Sequence, residues 1–321
     1  MNQQKQRVFN KIIDKIKSAK NIALISHRNP DGDTIGSATA FYEIIISNFP
    51  GKKINLVCRD KIPRNLSFIN NSKLYKSYFD PEDYDLIIFF DSGSKSQTSF
   101  DIIYPELFDS KTYNTIGIDH HKTNEVYCRQ NLIMTNYAST TMIIYELFKD
   151  TSYYINQNAA TSLLTGIFTD TGGLKHSNTN FLVYKYVREL IKLGADRQFI
   201  IDNFFKNNSL DRLRLWGRII EKSFIDKDNI LFTYINKTDI DAFGADYEDI
   251  SGITDLLNSR EGIKYSAILT QKGEYVKGSL RTLRDDIDLT SLAKKHGGGG
   301  HKKASGFTTT GSIEEIKTLN F

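Results

Sequence analysis

Acidic and histidine residues of this 321-residue chain form four clusters, each at the predicted end of a strand or helix. The first occupies residues 27–33 (HRNPDGD), the second is Asp91, the third is residues 119–121 (DHH) and the fourth is residues 169–172 (TDTG). In open α/β sheets, ligands bind beyond the carboxyl ends of the strands, where loops from different strands can converge. We therefore expect the four clusters to meet at one site.

Such a site would hold several carboxylates and at least two imidazoles. Carboxylates that lie so close together repel one another, and some would be protonated unless cations neutralise them. The simplest neutraliser is a pair of divalent metal ions that share a bridging carboxylate. Oxygen and nitrogen ligands without thiolate favour Mn²⁺ or Mg²⁺, with Zn²⁺, Co²⁺ or Fe²⁺ as alternatives. A two-metal site suits in-line displacement at phosphorus, because it can activate water and stabilise the leaving oxygen.

Each cluster taken alone also fits ordinary turn chemistry. Asn-Pro and Asp-Gly are turn dipeptides, Asp33 before Thr34 could cap a helix, and residues 171–173 (TGG) are typical of a helix stop. Turn formation has no need, however, for the two adjacent imidazoles of His120 and His121. Four such clusters in series, each at the end of an element, favour a catalytic site over a set of turns.

The elements that would position these clusters alternate between strands and helices in the first part of the chain. Apolar runs predict strands at residues 21–26, 53–57, 85–90 and 115–118, and helical periodicity predicts helices at residues 8–16, 34–48, 139–148, 156–168 and 180–193. This alternation predicts an α/β fold with an open, mostly parallel sheet flanked by helices.

After Gly194 the pattern changes from alternating elements to two helices and a strand-rich segment. Helices are predicted at residues 197–206, 210–222 and 289–296, and strands at residues 230–235, 264–270, 275–281 and 304–309. We therefore expect a first domain at residues 1–195, a helical linker at 196–228, and a smaller α/β domain with a mixed sheet at 229–321.

Composition sets limits on the class of protein. Apolar residues make up 40% and charged residues 25%, which excludes wholesale disorder, and the length fits two domains. A net charge of +4 permits an anionic substrate but is too small to indicate a protein that coats nucleic acid. Cys58 and Cys128 cannot form a disulfide framework and fit a reducing compartment. With no secretory signal and no apolar run of membrane-spanning length, a cytoplasmic location without membrane contact is expected.

The four clusters resemble, in residues and order, the motifs of the DHH phosphoesterase superfamily, which is named for the triplet at residues 119–121. The C-terminal part resembles the DHH-associated C-terminal domain through residues 278–281 (GSLR), 297–301 (GGGGH) and 302–307 (KKASGF). The resemblance covers essentially the whole chain. The compact size of the chain and the type of its C-terminal domain resemble those of the branch of nano-RNases and pAp phosphatases.

The resemblance implies a set of site residues in the first domain. The implied metal ligands are His27, Asp31, Asp33, Asp91, His120 and Asp170. Asp91 and Asp170 would bridge two ions, expected to be Mn²⁺ with Mg²⁺ or Co²⁺ as alternatives. His121 would be the catalytic residue that contacts the scissile phosphate or protonates the leaving group. Asp119 would orient a neighbouring ligand rather than bind a metal itself.

The glycine run of the second domain predicts a segment that binds phosphate or a terminal nucleotide. Glycines allow close backbone approach and present N–H groups to an anion, although a glycine run alone is also typical of a hinge. The expected substrate-binding residues are Arg281, Gly298, Gly299, Gly300 and His301. Lys175 stands where the family often has an arginine, so it keeps the charge but loses the two-pronged hydrogen bonding of a guanidinium.

Together these expectations describe a metal-dependent phosphodiesterase, a hydrolase that degrades short oligoribonucleotides to mononucleotides and also dephosphorylates 3′-phosphoadenosine 5′-phosphate (pAp). Metals on one domain and a nucleotide-binding surface on the other imply a cleft that favours short substrates. The alternatives are a phosphodiesterase for linear or cyclic dinucleotides and a RecJ-like single-strand exonuclease, which needs a longer basic groove. A nucleotide-binding regulatory module would lack a metal ligand, and none is missing. A homodimer is the default expectation for assembly.

Overall fold

The computed structural model describes residues 3–109, 112–206 and 208–318. The chain divides into two compact units, Met1–Lys206 and Asn207–Phe321. The division falls between the two helices that the sequence predicts in the segment 196–228. No helix in the described ranges is both long enough and apolar enough to cross a bilayer.

The first unit contains a five-stranded sheet in which every neighbouring pair is parallel, as predicted, in the order β2-β1-β3-β4-β5. The strands are β1 (Asn21–Ser26), β2 (Lys53–Val57), β3 (Leu86–Phe90), β4 (Thr115–Asp119) and β5 (Gln130–Ile133). The last of these was not predicted, because only Leu132 in this short edge strand is buried. The chain adds β2 on one side of β1 and then β3, β4 and β5 on the other side, so the strand order switches between the neighbours β1 and β3. In folds of this kind, ligands bind at that switch point.

Six helices of the described residues accompany this sheet. They are α1 (Gln3–Ser18), α2 (Gly32–Asn48), α3 (Thr140–Asp150), α4 (Gln157–Asp170), α5 (Phe181–Lys192) and α6 (Arg197–Phe205). Alternate residues of β1 enter two different apolar clusters, Ile22 and Leu24 on one face and Ala23 and Ile25 on the other. The sheet is therefore covered on both faces, which explains why its central strands are continuous apolar runs.

The start of α2 differs from the sequence-based expectation. Asp33 was a candidate cap for a helix beginning at Thr34, but the helix begins at Gly32 and its cap is Asp31. Oδ1 of Asp31 accepts hydrogen bonds from the backbone N–H groups of Asp33 at 3.0 Å and Thr34 at 3.1 Å. Asp33 is thereby released from a capping role, and its side chain is fully buried inside the unit.

The second unit contains a six-stranded mixed sheet in the order β10-β11-β9-β8-β7-β6, in which β7 and β8 are parallel and the other paired strands are antiparallel. Its strands are β6 (Phe224–Ile225), β7 (Ile230–Ile235), β8 (Tyr265–Lys272), β9 (Tyr275–Arg281), β10 (Gly299–His301) and β11 (Ala304–Thr310). The mixed sheet was predicted, but β10 was not, because glycine runs carry no strand propensity. Residues 299–301 form a strand despite this low propensity, because their backbone pairs with β11.

Five helices belong to the described part of the second unit. They are α7 (Leu210–Glu221), α8 (Lys237–Asp241), α9 (Ile253–Asn258), α10 (Leu289–Lys295) and α11 (Ile313–Thr318). Residues of α7, α8 and α9 join one apolar cluster of the sheet, whereas residues of α10 and α11 join the other. The helices α8, α9 and α11 escaped prediction because five or six residues are too few to show helical periodicity.

Candidate metal centre

The carboxyl ends of three neighbouring strands carry the predicted clusters. His27 directly follows β1, Asp91 directly follows β3, and Asp119 is the last residue of β4. Because β1, β3 and β4 are adjacent and parallel, these residues lie along one edge of the sheet. Asp91 is buried and has a backbone φ of 56°, in the left-handed region that non-glycine residues rarely adopt. A strained, buried carboxylate of this kind is typical of functional sites.

Two tightly packed helices supply the other acidic residues. Asp31 and Asp33 lie at the start of α2, and Asp170 is the last residue of α4. A Cβ atom on Gly36 of α2 would lie 2.5 Å from the carbonyl oxygen of Ser162 in α4. A Cβ on Gly166 of α4 would lie 2.6 Å from Oδ1 of Asp33. The missing side chains therefore allow the two helices to approach closely enough to bring their carboxylates together.

Two histidines of the cluster, His27 and His120, direct Nε2 toward carboxylates. Nδ1 of His27 is 2.8 Å from the carbonyl oxygen of Arg28, and Nδ1 of His120 is 3.3 Å from that of Tyr137. A carbonyl oxygen can only accept, so each Nδ1 carries the proton and each Nε2 can act as a metal ligand. Nε2 of His27 lies 3.5 Å from Oδ2 of Asp91, and Nε2 of His120 lies 3.2 Å from Oδ2 of Asp170.

All six predicted ligands belong to groups whose donor atoms lie within 4.8 Å of one another. The groups are His27, Asp31 and Asp91; Asp33, His120 and Asp170; and Asp91, His120 and His121. Asp91 occurs in two groups, as expected of a bridging carboxylate, and so does His120. Asp170 occurs in one group, and the bridging role that the resemblance implied for it stays a prediction.

The electrostatics of the cluster indicate a place for cations. Burial and the neighbouring charges of Asp170 and Asp91 raise the pKa of Asp33 well above its ordinary value. Burial also raises the pKa of Asp170 to about 6, against the opposing effect of His120. The pKa of His120 rises because the surrounding carboxylates outweigh its burial. Carboxylate oxygens and neutral imidazole nitrogens suit Mn²⁺ or Mg²⁺, and bound cations would let all the acids remain ionised. The residues present therefore fit a pair of divalent ions.

Asp119 holds the histidine pair in place rather than joining a ligand group. Its Oδ1 accepts the backbone N–H of His120 at 2.8 Å and lies 2.7 Å from Nδ1 of His121, which must be the donor. Its Oδ2 accepts Nδ2 of Asn124 at 2.6 Å. Burial alone would raise the pKa of Asp119, but the hydrogen bond and charge of His121 lower it to about 2. These contacts would let Asp119 orient the ring of His121, which is the role that the resemblance implies for it.

Two threonines at the start of α3 are part of the site, and sequence reasoning missed both. The backbone N–H groups of Thr140 and Thr141 donate to the Asp33 carboxylate at 2.6 and 3.0 Å, and Oγ1 of Thr141 donates to it at 2.8 Å. Oγ1 of Thr140 donates to Oδ1 of Asp91 at 2.9 Å. The available signal was Ser139, a typical helix cap, but nothing in the sequence pairs that helix with Asp33.

The loop after Asp170 carries the remaining basic residues of this region. Lys175 and His176 are both exposed. A Cβ on Gly172, whose φ is 57°, would lie 2.3 Å from the imidazole of His176, so the ring packs over this glycine. The structure therefore places His176 on the surface beside the end of α4.

The predicted substrate-binding residues of the second unit lie at one end of its sheet. Gly299 and Gly300 form β10 with His301, paired with β11, and Arg281 ends β9 on the other side of β11. A Cβ on Gly300, or on Gly298 just before the strand, would lie within 2.6 Å of β11 backbone atoms. Close strand packing thus explains these two glycines, whereas a Cβ on Gly299 would meet open space. The side chain of His301 is outside the described part of the structure.

Two residues of β9 share a sheet face with Arg281 and were not predicted. Strand geometry puts Lys277 and Ser279 on the same side as Arg281, opposite the buried Val276 and Leu280. This face carries small neighbours on β11, because Gly306 lies opposite Ser279. The face therefore carries the cationic side chains of Lys277 and Arg281 and the hydroxyl group of Ser279.

Two family models match the chain. The "DHH family, N-terminal domain" model matches residues 21–167, and the "DHHA1 domain" model matches residues 227–320. Together they cover about three quarters of the sequence. The chain therefore contains a DHH N-terminal domain followed by a DHHA1 domain, as its motifs predicted, and it is a phosphoester hydrolase.

Similar proteins extend over nearly all of the chain. The bifunctional oligoribonuclease and PAP phosphatase NrnA of Bacillus subtilis is 26% identical over 92% of this chain and 91% of its own length. The protein of the same name from Thermus thermophilus is 28% identical over 96% of this chain and 89% of its own length. The crystal structure of an exopolyphosphatase-related protein from Bacteroides fragilis has a TM-score of 0.89 and 26% identity, covering 98% of this chain and 94% of that one.

Proposed function

We propose that the protein is a phosphodiesterase, dependent on divalent metal ions, that hydrolyses short oligoribonucleotides to mononucleotides and removes phosphate from pAp. The observation that carries this proposal is that the three ligand groups are connected, because one group shares Asp91 with the second and His120 with the third. His121 belongs to this connecting group, and its Nδ1 lies 2.7 Å from Oδ1 of Asp119. Support for the substrate class comes from the two relatives named as oligoribonucleases and PAP phosphatases, each similar over about nine-tenths of both chains.

The residues proposed to hold two Mn²⁺ ions are the six predicted ligands. One group, His27, Asp31 and Asp91, would hold the first ion, and the other, Asp33, His120 and Asp170, would hold the second. When bound, divalent cations offset the charge of a phosphate and make a coordinated water more acidic. Thr140 and Thr141 fix the rotamers of Asp91 and Asp33, so the carboxylates are already oriented for this task.

His121 is the proposed proton donor to the leaving oxygen. Its Nδ1 is fixed by Asp119, so Nε2 is the ring atom that would hold and transfer a proton. Asp119 also bonds the backbone N–H of His120 and the side chain of Asn124, whose amide in turn donates to the carbonyl oxygen of Ser92 at 3.1 Å. This chain of bonds ties the His121 ring to the loops that follow β3 and β4.

Arg281, Lys277 and Ser279 are proposed to bind the phosphate or ribose of the substrate, together with Gly299 and the predicted residue His301. A guanidinium and an ammonium on one strand face give charge-assisted hydrogen bonds to phosphate oxygens. Gly298 and Gly300, which the sequence also predicted as binding residues, would act by letting β10 pack against β11.

The direct test incubates the purified protein with Mn²⁺ and end-labelled ribonucleotides of two to five residues, and separately with pAp. We expect stepwise release of mononucleotides and release of phosphate from pAp. Protein stripped with EDTA should be inactive and should recover when Mn²⁺ is restored, with Mg²⁺ and Co²⁺ as comparison ions. Absence of mononucleotide release, with another phosphate ester still hydrolysed, would overturn the substrate class. Light scattering of the same sample tests the proposed homodimer.

A further inference from the structure

A polar cavity of about 340 Å³ lies in the first unit, beside the helix that ends in Asp170. One wall is the first half of α4, with Gln157, Asn158 and Thr161. The lining also contains Phe68 and, at the start of α6, Phe199. None of the site residues described above lines this cavity, so its composition calls for a separate explanation.

The cavity combines aromatic rings with side-chain amides. The rings of Phe68 and Phe199 meet edge to face, with centroids 5.4 Å apart, and Phe199 is 44% exposed. Gln157 and Asn158 are exposed, and their side chains make no hydrogen bond to another residue of the described ranges. Rings that offer a stacking surface next to amides that offer donors and acceptors are typical of sites for unpaired nucleobases.

The charges of the cavity exclude a phosphate as its occupant. Its ten lining residues include no lysine, arginine or histidine, and the single charged member is the carboxylate of Asp196. Oδ1 of Asp196 caps α6 by accepting the backbone N–H of Phe199 at 2.8 Å, so the acid is fixed at the cavity wall. An acid there can accept hydrogen bonds from exocyclic amino groups or ribose hydroxyls but repels anions. A neutral heterocyclic base therefore fits, with its phosphates outside the cavity.

The separation between the cavity and Asp170 along the axis of α4 follows from helix geometry. Thr165, which also lines the cavity, precedes Asp170 by five residues, and Thr161 precedes it by nine. At about 1.5 Å per residue these positions lie roughly 8 and 14 Å along α4 from Asp170. At about 3.4 Å per stacked nucleotide, that distance corresponds to roughly two to four nucleotides.

We propose that this cavity binds a nucleobase of the substrate that lies beyond the two nucleotides flanking the scissile bond. This rests on the proposed function, because it assumes that oligonucleotides reach the metal centre. Such a site would make hydrolysis of three- to five-residue substrates depend on α4, α6 and Phe68, whereas a dinucleotide would be too short to reach it. Its contribution comes from stacking and amide hydrogen bonds, so it would tolerate differences in base identity.

The test measures hydrolysis of a pentanucleotide and of a dinucleotide by the variants Phe199→Leu and Asn158→Ala and by the matched control Gln198→Ala. Gln198 is a neighbour of Phe199 on α6, but its amide bonds Asp202 and it does not line the cavity. We expect kcat/KM for a pentanucleotide to fall about tenfold in Phe199→Leu and severalfold in Asn158→Ala, with dinucleotide hydrolysis within twofold of wild type. The control should leave both substrates unchanged. Equal losses on both substrates, or no loss on either, would overturn the proposal.

A binding measurement separates this proposal from the proposed function. A pentanucleotide with 2-aminopurine at its third, fourth or fifth base and non-hydrolysable linkages is titrated with the Mn²⁺-loaded protein. Stacking on Phe199 should change the fluorescence of a base at one of these positions, and Phe199→Leu should abolish the change. If the probe binds in this way but the Mn²⁺-loaded protein does not hydrolyse an unmodified pentanucleotide, the proposed function is contradicted and the base site is kept. Hydrolysis with no fluorescence change at any position would contradict the base site alone.

Discussion

Both units of this protein bury carboxylates, but they neutralise them in different ways. In the second unit, Asp239 is paired with Lys222 at 2.6 Å and with Arg218 at 3.4 Å. In the first unit, every ion-pair partner of Asp33, Asp91 and Asp170 among the described residues is a histidine. A permanently charged partner neutralises the carboxylate of Asp239. Acids that face only imidazoles are not fully neutralised.

The contrast separates residues that hold the fold from residues that hold a ligand. Asp239 is buried for stability and also completes the cap of α8, since its Oδ2 accepts the backbone N–H of Asn236 at 3.1 Å. The acids of the metal centre repel one another and would destabilise the metal-free chain. We therefore expect substitutions in the first unit to cost activity and substitutions at Asp239 to cost stability.

The largest effect is expected for Asp170→Asn. Loss of a charged ligand should lower kcat/KM for dinucleotide hydrolysis at least a thousandfold, corresponding to several kcal/mol of transition-state stabilisation. The metal-free variant should be at least as resistant to heat as metal-free wild type, because one repelled carboxylate is gone. Mononucleotide release with Mn²⁺ measures the loss of activity, and thermal unfolding in EDTA measures the stability of the metal-free variant. Asp202→Asn, a half-buried acid paired with Lys206, is the matched control. Retained activity in Asp170→Asn would refute the site.

Gly166→Ala should follow, with a loss of about a hundredfold in kcat, since misplacement of reacting groups by an ångström has effects of that size. The new Cβ would lie 2.4 Å from Cγ2 of Thr141 in α3 and 2.6 Å from Oδ1 of Asp33 in α2, so α4 must move away from both helices. Gly217→Ala in α7 is the control, because its Cβ would meet nothing within 4 Å. The control should gain about 0.5–1 kcal/mol in unfolding free energy and keep full activity. Equal behaviour of the two variants would contradict the close contact.

Asp119→Asn should lower kcat ten- to hundredfold, the range typical of residues that orient a ligand. An amide at this position can still accept one hydrogen bond, but it no longer carries the charge that holds the His121 ring. KM should change little, because the side chain of Asp119 is buried and would not contact substrate. Steady-state kinetics on a dinucleotide separate the two constants. A rise in KM with unchanged kcat would place Asp119 in substrate binding instead.

Arg281→Ala should raise KM about tenfold and leave kcat within about threefold, because one charge-assisted hydrogen bond to phosphate is lost. Lys227→Ala removes another cation of the same unit, in the turn between β6 and β7, and should change neither constant. The comparison predicts that neither variant alters metal affinity. A large fall in kcat for Arg281→Ala would mean that the second unit also contributes to the chemical step.

Asp239→Asn should produce the smallest effect, a loss of about 1–2 kcal/mol in unfolding free energy at pH 7. Burial alone would raise the pKa of Asp239, but Lys222 and the N–H of Asn236 lower it below its ordinary value. A lowered folded-state pKa gives stability that is present above about pH 4 and is lost as the pH falls through the folded value. Chemical unfolding at pH 7 and pH 3 should therefore show a difference that shrinks at the lower pH. Asp241→Asn, an exposed acid paired with Lys237, should change stability little at either pH.

Much of the first unit could be predicted because its site follows the ends of strands. The apolar runs before His27, Asp91 and Asp119 identified β1, β3 and β4, and the rule for open parallel sheets then brought their ends together. The six ligands do lie in groups that could hold metal ions, although the identity of the ions stays a proposal.

The features that could not be predicted depend on contacts between residues far apart in the chain. Thr141 follows Asp33 by 108 positions, and no local pattern links the start of one helix to the carboxylate of another. From the sequence alone, Gly166 is a residue that lowers the stability of its helix, and only the structure shows that α2 packs closely against it. The pattern of the glycine run favoured an anion-binding loop, whereas pairing with β11 makes part of it a strand.

The backbone of Asp91 has a consequence for the evolution of this family. Glycine or asparagine would adopt its φ of 56° more readily than aspartate does, so drift to either residue should relieve strain while removing the shared ligand. The residue found at this position in a related sequence therefore reports whether that lineage still depends on the enzyme's activity. A survey that correlates glycine or asparagine here with losses among the other five ligands would reveal lineages that have kept the fold and abandoned the reaction.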